Sequence, residues 1–409
     1  MTTLNTVVEQ KVPLQTQSGR SHWRIILLLA LVAHVAVALE FFNFSPVPPL
    51  TSWGFENIAI ALSLHAGHGF SSPFFTPSGP TAIMAPGYPL LLAGMIRVFG
   101  TGSLAASIVV TLQVLFSLLT VVVVMYIARL HFGSRTANLA GFVCALSPPM
   151  LMTPLKIWDT SLSALLLAGF FAAVSAGQIR RLKFVPAGAA CALAGLINPS
   201  LIPALCAICA WAAWKAKKFP WAGILAFLIV FSPWPLRNAA VLHAFIPLRA
   251  DFGYELWMGN HPGGNGDFDE SMDPMMNAGE RLAFVSQGEL AYLHQKDSLA
   301  KTYILSHPGH FIQLSLRRVW QFWMGTEGGG DATTAPLFLL ASGGLVLLWR
   351  RRPLFLLYAL PLMLFPLPYY ITHVYVRYQY PIDPLLAILA AHAIAAFLSF
   401  MRPTPEKDL

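Results

Sequence analysis

Four short stretches set ionisable side chains against the ends of apolar runs, where charge is costly and usually kept for a purpose. They are Glu56 in Trp53-Gly-Phe-Glu-Asn57, the string Lys156-Ile-Trp-Asp159, Arg237 in Pro233-Trp-Pro-Leu-Arg-Asn238, and Arg377 in Arg377-Tyr-Gln-Tyr-Pro381. A carboxylate so placed can take the proton of a hydroxyl group. An arginine can hold a phosphate through its two-pronged donor set. Three of the stretches also have a plainer reading. Glu56 falls in the first turn of a helix expected over 54–66, where the dipole favours a carboxylate; Gly67 and Gly69 would end that helix. Asp159 fits a helix N-cap or a local ion pair with Lys156. Arg237 fits a side chain reaching toward lipid headgroups.

The elements that must position these groups are membrane helices. Of 409 residues, 56% are hydrophobic and 11% charged, against roughly 25% charged in soluble globular chains. Apolar runs near 25–42, 104–128, 136–155, 160–178, 184–197, 199–215, 219–236, 335–349, 353–371 and 383–401 predict about ten spans. The first is expected to be a retained helix, because no small-residue cleavage site follows it. The net charge of +8 lies in small clusters between apolar runs, which excludes a nucleic-acid-binding stripe. Cys144, Cys191, Cys206 and Cys209 sit inside apolar segments and read as packing residues. The histidines show no zinc-ligand spacing, and no phosphate loop or nucleophile elbow is present.

Cytoplasmic loops collect Lys and Arg. Placing the clusters around Lys11/Arg20/Arg24, Arg129/Arg135, Arg180/Arg181/Lys183, Lys215/Lys217/Lys218, Arg350/Arg351/Arg352 and Arg402/Lys407 on one side demands an even number of crossings between neighbours. The stretch 86–100, short and carrying Arg97, is then expected to lie on the membrane as an interfacial helix. The expected organisation is a cytoplasmic tail over 1–24, a membrane domain over 25–401 and a tail over 402–409. Two large loops, 43–103 and 237–334, and short turns near 156–159, 198 and 372–380 would then share the opposite face. An external Arg377 runs against the charge bias, which favours anion binding there.

The string Glu56…Gly67-His-Gly-Phe70, followed by Ala85-Pro-Gly-Tyr88-Pro-Leu, resembles the first external loop of bacterial GT-C glycosyltransferases. These are the polyprenyl-phosphate-sugar enzymes related to protein mannosyltransferases and lipid A aminoarabinose transferases. Ile127-Ala-Arg129, Leu146-Ser-Pro148, Trp158-Asp159, Pro233-Trp-Pro-Leu-Arg-Asn238, Gly253-Tyr-Glu-Leu-Trp-Met-Gly-Asn260 and Arg377-Tyr378…Pro381 resemble further landmarks of that family in the same order. One departure stands out. The family's first-loop Asp usually precedes the helix, about where Trp53 stands, and the nearest carboxylate here is Glu56.

The resemblance implies an all-α integral membrane fold with interfacial helices in the first external loop, and an active site facing the periplasm from a bacterial inner membrane. It implies transfer of a sugar, on an inverting course, from a polyprenyl-phosphate donor to an extracytoplasmic acceptor: a cell-envelope glycan, lipid or protein. Glu56 or Asp159 would be the base, with the other orienting the acceptor or a metal. Lys156, Arg237 and Arg377 would hold the donor phosphate. His68, Tyr88, Asn238, Asn260 and Tyr378 would line the substrate cavity. No cofactor is called for, and a divalent metal is left open. The rival class is a transporter or flippase of lipid-linked sugars, which would need polar groups and broken helices at mid-membrane. Most mid-span positions here are apolar.

Overall fold

The structure, a computed structural model, describes residues 22–177, 184–325 and 333–401. Lys11 and Arg20, the Arg180/Arg181/Lys183 cluster, Arg402 and Lys407, and with them most of both expected tails, lie outside the described residues. Among the described residues the chain is helical, with two isolated β-bridges, Ser71–Pro80 and Asp267–Val374, and no named strand.

Every expected span is met by a helix, but the helices differ in length. Trp23–Phe41, Ser103–Phe132, Trp221–Leu242, Arg352–Ile371 and Tyr380–Phe400 are long and apolar enough to cross a membrane. Ser134–Leu146 and Pro148–Leu155 make a sixth if counted together, bent by 55°. The bend falls at Ser147, whose extended backbone is what a following proline imposes. Thr160–Ser175, Val185–Ile197, Leu201–Ala216 and Thr334–Leu347 are shorter. At about 1.5 Å per residue they fall short of a hydrocarbon core of about 30 Å, so length alone supports six crossings rather than ten.

The last helix, Asp383–Phe400, forms the axis. Its stretch from Leu385 to Ala391 is buried throughout, and it runs against Thr334–Leu347, Ser134–Leu146 and Ser103–Phe132. Gly344 makes the closest of these approaches possible, since a Cβ there would overlap the carbonyl of Leu389. Small residues at such crossings let helix backbones meet where lipid gives no hydrophobic drive.

The two helices expected in the first external loop form at Glu56–His65 and Gly87–Phe99. They fold back on the outer half of Ser103–Phe132, with Ile58, Ala61, Leu92 and Ile96 buried against Ala105 and Val109. Glu56–His65 was expected to lie on the bilayer, yet Asn57 to Ala61 and Ser63 are all buried. It is an enclosed helix, held between protein surfaces.

The long loop is built from Phe252–Gly259, Ala278–Gln287, Glu289–Ser306 and Pro308–Met324. Arg318 clamps it to the segment before the last helix. Its side chain is fully buried and donates to the carbonyls of Gly266 (3.1 Å), Ile371 (3.2 Å) and Gly259 and to Asn260 Oδ1 (3.0 Å). Burial lowers its pKa to about 10. The contact is tight enough that a Cβ on Gly259 would overlap the Thr372 carbonyl.

Candidate active site

A cavity of about 410 Å³ opens at one end of the helical bundle. All five segments expected outside the cytoplasm contribute to its wall. Phe55 and Glu56 come from the first loop, Trp158 and Asp159 from the second turn, and Asn198 from the third. Arg249, Asp251, Glu255 and Asp273 come from the long loop, and His373, Arg377 and Tyr378 from the last turn. Loops that meet around one hollow must leave the bundle on the same side, as the basic clusters require.

Glu56 opens its helix, and among the described residues no other residue hydrogen-bonds its carboxylate, which is met by its own backbone N–H. Burial, and after it the nearby Asp273, raises its pKa above the ordinary carboxylate range. Asp159 occupies the N-cap position of Thr160–Ser175 without capping it through its side chain. Ser163 Oγ and Asn198 Nδ2 both donate to its Oδ2 at 3.0 Å. Burial raises this acid too, opposed by Arg377. The Arg377 side chain makes no hydrogen bond or ion pair among the described residues, and only its carbonyl accepts, from the Gln379 N–H. Its guanidinium lies 4.1 Å from the Trp158 ring centroid and 5.6 Å from that of Tyr378. Such a cation is held in place by aromatic faces while its donors stay available.

The wall from the long loop is arranged differently. Arg249 Nε donates to the Ile83 carbonyl at 3.0 Å, and its Nη2 pairs with Asp251 and, at 3.3 Å, Glu255. The other Glu255 oxygen lies 3.2 Å from His373 Nδ1, and His373 Nε2 shares a hydrogen bond of 2.9 Å with the Tyr378 hydroxyl. Burial pushes His373 down to about 3, so the ring is neutral. Burial also drives Asp251 up to about 7 against the pull of Arg249. Sequence reasoning did not single out Arg249, Asp251, Glu255 or Asp273, and it left His373 as an external histidine.

Of the expected site residues, Glu56, Asp159, Arg377 and Tyr378 line the cavity. Lys156 stands behind its wall, its Nζ 4.8 Å from the Trp158 ring and in no ion pair with Asp159. Arg237 lies elsewhere. It donates to the carbonyls of Thr81 (2.7 Å) and Phe70 (2.8 Å) and to Asn238 Oδ1, so its donors are taken by backbone. Asn238 is buried and donates to the Ile246 carbonyl. Asn260 belongs to the Arg318 clamp. Tyr88 is buried, with its hydroxyl on Gln113, and His68 is exposed outside the cavity. None of these five residues lines the cavity.

The metal left open finds no ready donor set: among the described residues no three His, Cys, Asp or Glu side chains converge closely enough to hold an ion. The carboxylates of the cavity are distributed around its wall.

Residues 83–236 match the family described as dolichyl-phosphate-mannose-protein mannosyltransferase. No protein of curated function matches the chain by sequence. Among solved structures, the oligosaccharyltransferase of Archaeoglobus fulgidus in its apo form aligns over 94% of this chain and 52% of its own, at 15% identity and a TM-score of 0.53. An oligosaccharyltransferase of the same organism, AglB, in complex with an inhibitory peptide and a dolichol-phosphate aligns over 92% and 50%, at 15% identity and a TM-score of 0.51. ArnT from Cupriavidus metallidurans bound to undecaprenyl phosphate aligns over 93% and 82%, at 16% identity and a TM-score of 0.41. The chain therefore spans about half the length of the first of these structures. The shared feature is the helical membrane fold.

Proposed function

We propose that this chain, an integral membrane protein with the GT-C fold, is a glycosyltransferase that moves a hexose or pentose from a polyprenyl-phosphate donor to an extracytoplasmic acceptor. The observation that carries this reading is the meeting of Glu56, Asp159 and Arg377, from three distant stretches, in one cavity at an end of the helical bundle. The family matched over residues 83–236 and the dolichol-phosphate held by AglB support a lipid-phosphate donor.

In this reaction the sugar C1–O bond to the phosphate breaks and a bond from C1 to the acceptor oxygen forms. Glu56 is the proposed base. Among the described residues no other residue donates to its carboxylate, and burial raises its pKa, which makes it a stronger proton acceptor than a solvated carboxylate. Asp159, fixed through Oδ2, leaves Oδ1 to orient the acceptor hydroxyl. Arg377 receives the charge that develops on the leaving polyprenyl phosphate, the interaction that is often the largest contribution to such catalysis. The polyprenyl tail stays in the bilayer. The setting proposed is a bacterial inner membrane, with the cavity toward the periplasm.

The test is reconstitution in detergent, with envelope lipids from a deletion strain supplying donor and acceptor. Wild type should convert the accumulated polyprenyl-phosphate sugar into glycan, while Glu56→Gln and Asp159→Asn, folded and at equal level, should not. A flippase is dispensable in detergent, where no leaflet separates the reactants. Transfer that is independent of the protein, or unchanged in both variants, overturns the assignment.

A further inference from the structure

The Pro308–Met324 helix has its polarity turned inside out. Its protein-facing side carries Arg318 and Gln321 along with Leu314 and Phe322, all buried. Its open side presents Ile312, Leu316 and Trp320, which are 58%, 66% and 65% exposed. These three recur every four residues and so form one stripe. Gln313 and Arg317 flank the stripe on one side only, and Arg317 reaches Asp267 at 3.7 Å. A helix of a water-filled loop would show the opposite arrangement, with its apolar side packed inward.

We infer that this helix lies in the outer membrane–water interface, its Ile312–Leu316–Trp320 stripe seated among lipid acyl chains and its Gln313–Arg317 flank turned to water. Three further observations favour the bilayer as the occupant. The helix ends against an apolar helix, Thr334–Leu347, where Trp323 lies 4.7 Å from Phe338 and Leu339 and Leu340 are exposed. Trp320 is the residue type that settles at headgroup level, with an apolar ring and a polar edge. The sequence between the two helices, Thr326-Glu-Gly-Gly-Gly-Asp-Ala332, contains no large apolar residue. The long loop is then anchored to the membrane at its end rather than standing free. Through Arg318, the same helix fixes the 367–382 segment that carries Arg377.

Fluorescence quenching in phosphatidylcholine–phosphatidylglycerol vesicles tests this independently of enzyme activity. The difference between wild type and Trp320→Phe isolates Trp320. That signal should lose most of its intensity when the lipids are brominated in the upper part of their chains, and should resist acrylamide. Leu316→Trp on the Trp320→Phe background should behave alike, and Gln313→Trp should show the reverse. A Trp320 signal quenched by acrylamide and spared by brominated lipid places the helix in water and overturns the inference. A signal reached by neither quencher means that protein, such as a second copy of the chain, covers the stripe, which overturns it equally.

Discussion

The two walls of the cavity treat charge in opposite ways. On the wall made by the first loop and the short turns, Glu56 takes no hydrogen bond from another described residue, Asp159 is held by neutral donors through one oxygen, and the Arg377 side chain is braced by aromatic rings. On the long-loop wall, Arg249, Asp251, Glu255 and His373 are tied to one another and to the Ile83 carbonyl. A charge whose partners are supplied by the fold stabilises the fold. A charge left without one, at a cavity, is what a substrate can meet. The same contrast separates Arg377 from Arg237, which donates to two backbone carbonyls and an amide oxygen, and from Arg318, whose donors are all committed to backbone and amide oxygens.

The contrast is broken or sharpened by substitution, most strongly at the open wall. Glu56→Gln and Asp159→Asn should each lower the transfer rate by about 10²–10⁴, with thermal stability within about 0.5 kcal/mol of wild type. Arg377→Ala should cost about 10²–10³ in rate, and Arg377→Lys should restore only part of it, because an ammonium lacks the forked donors. Both are read in the detergent transfer assay. The effects should move from rate to stability at the braced positions. Arg237→Ala strands two backbone carbonyls and should destabilise by about 1–3 kcal/mol, and Arg249→Met, part-exposed, by about 2 kcal/mol. Denaturation midpoints check these. A catalytic collapse in a stable Arg237→Ala protein would contradict the division.

The smallest effect concerns Glu289, which ties the long loop to the first by accepting from the Ala82 N–H at 2.7 Å. Burial raises its pKa to about 7, above the unfolded value near 4.3. The folded state therefore binds the extra proton. The stability this contributes is complete below about pH 4 and is lost as pH rises through about 7. Glu289→Gln keeps the accepting oxygen and removes the titration, so its melting temperature should fall less than that of wild type between pH 5 and 8.

Much of this division was legible in the residues. Glu56, Asp159 and Arg377 announced themselves because each interrupts an apolar context, where a charge has few innocent uses. Parity of the basic clusters predicts the five loops on one face, and each of the five contributes residues to the cavity. Arg237 gave the same signal as Arg377 and has a different fate. The difference lies in the backbone of 70–82, which folds under Arg237 and takes its donors, and no local pattern shows that. Arg249, Asp251 and Glu255 were lost among the many acids of the long loop, although Asp251 and Glu255 stand four apart on one helix face with an arginine just before. The enclosure of Glu56–His65 was hidden for a similar reason. An apolar short helix looks alike whether lipid or protein covers it.

A double-substitution cycle on Glu56→Gln and Asp159→Asn, read as transfer rate, tests the account most directly. Groups acting on one hydroxyl in one cavity should be strongly non-additive, with the pair together costing little more than the worse single variant. Losses that multiply would mean that the two carboxylates work apart, and would contradict a shared site.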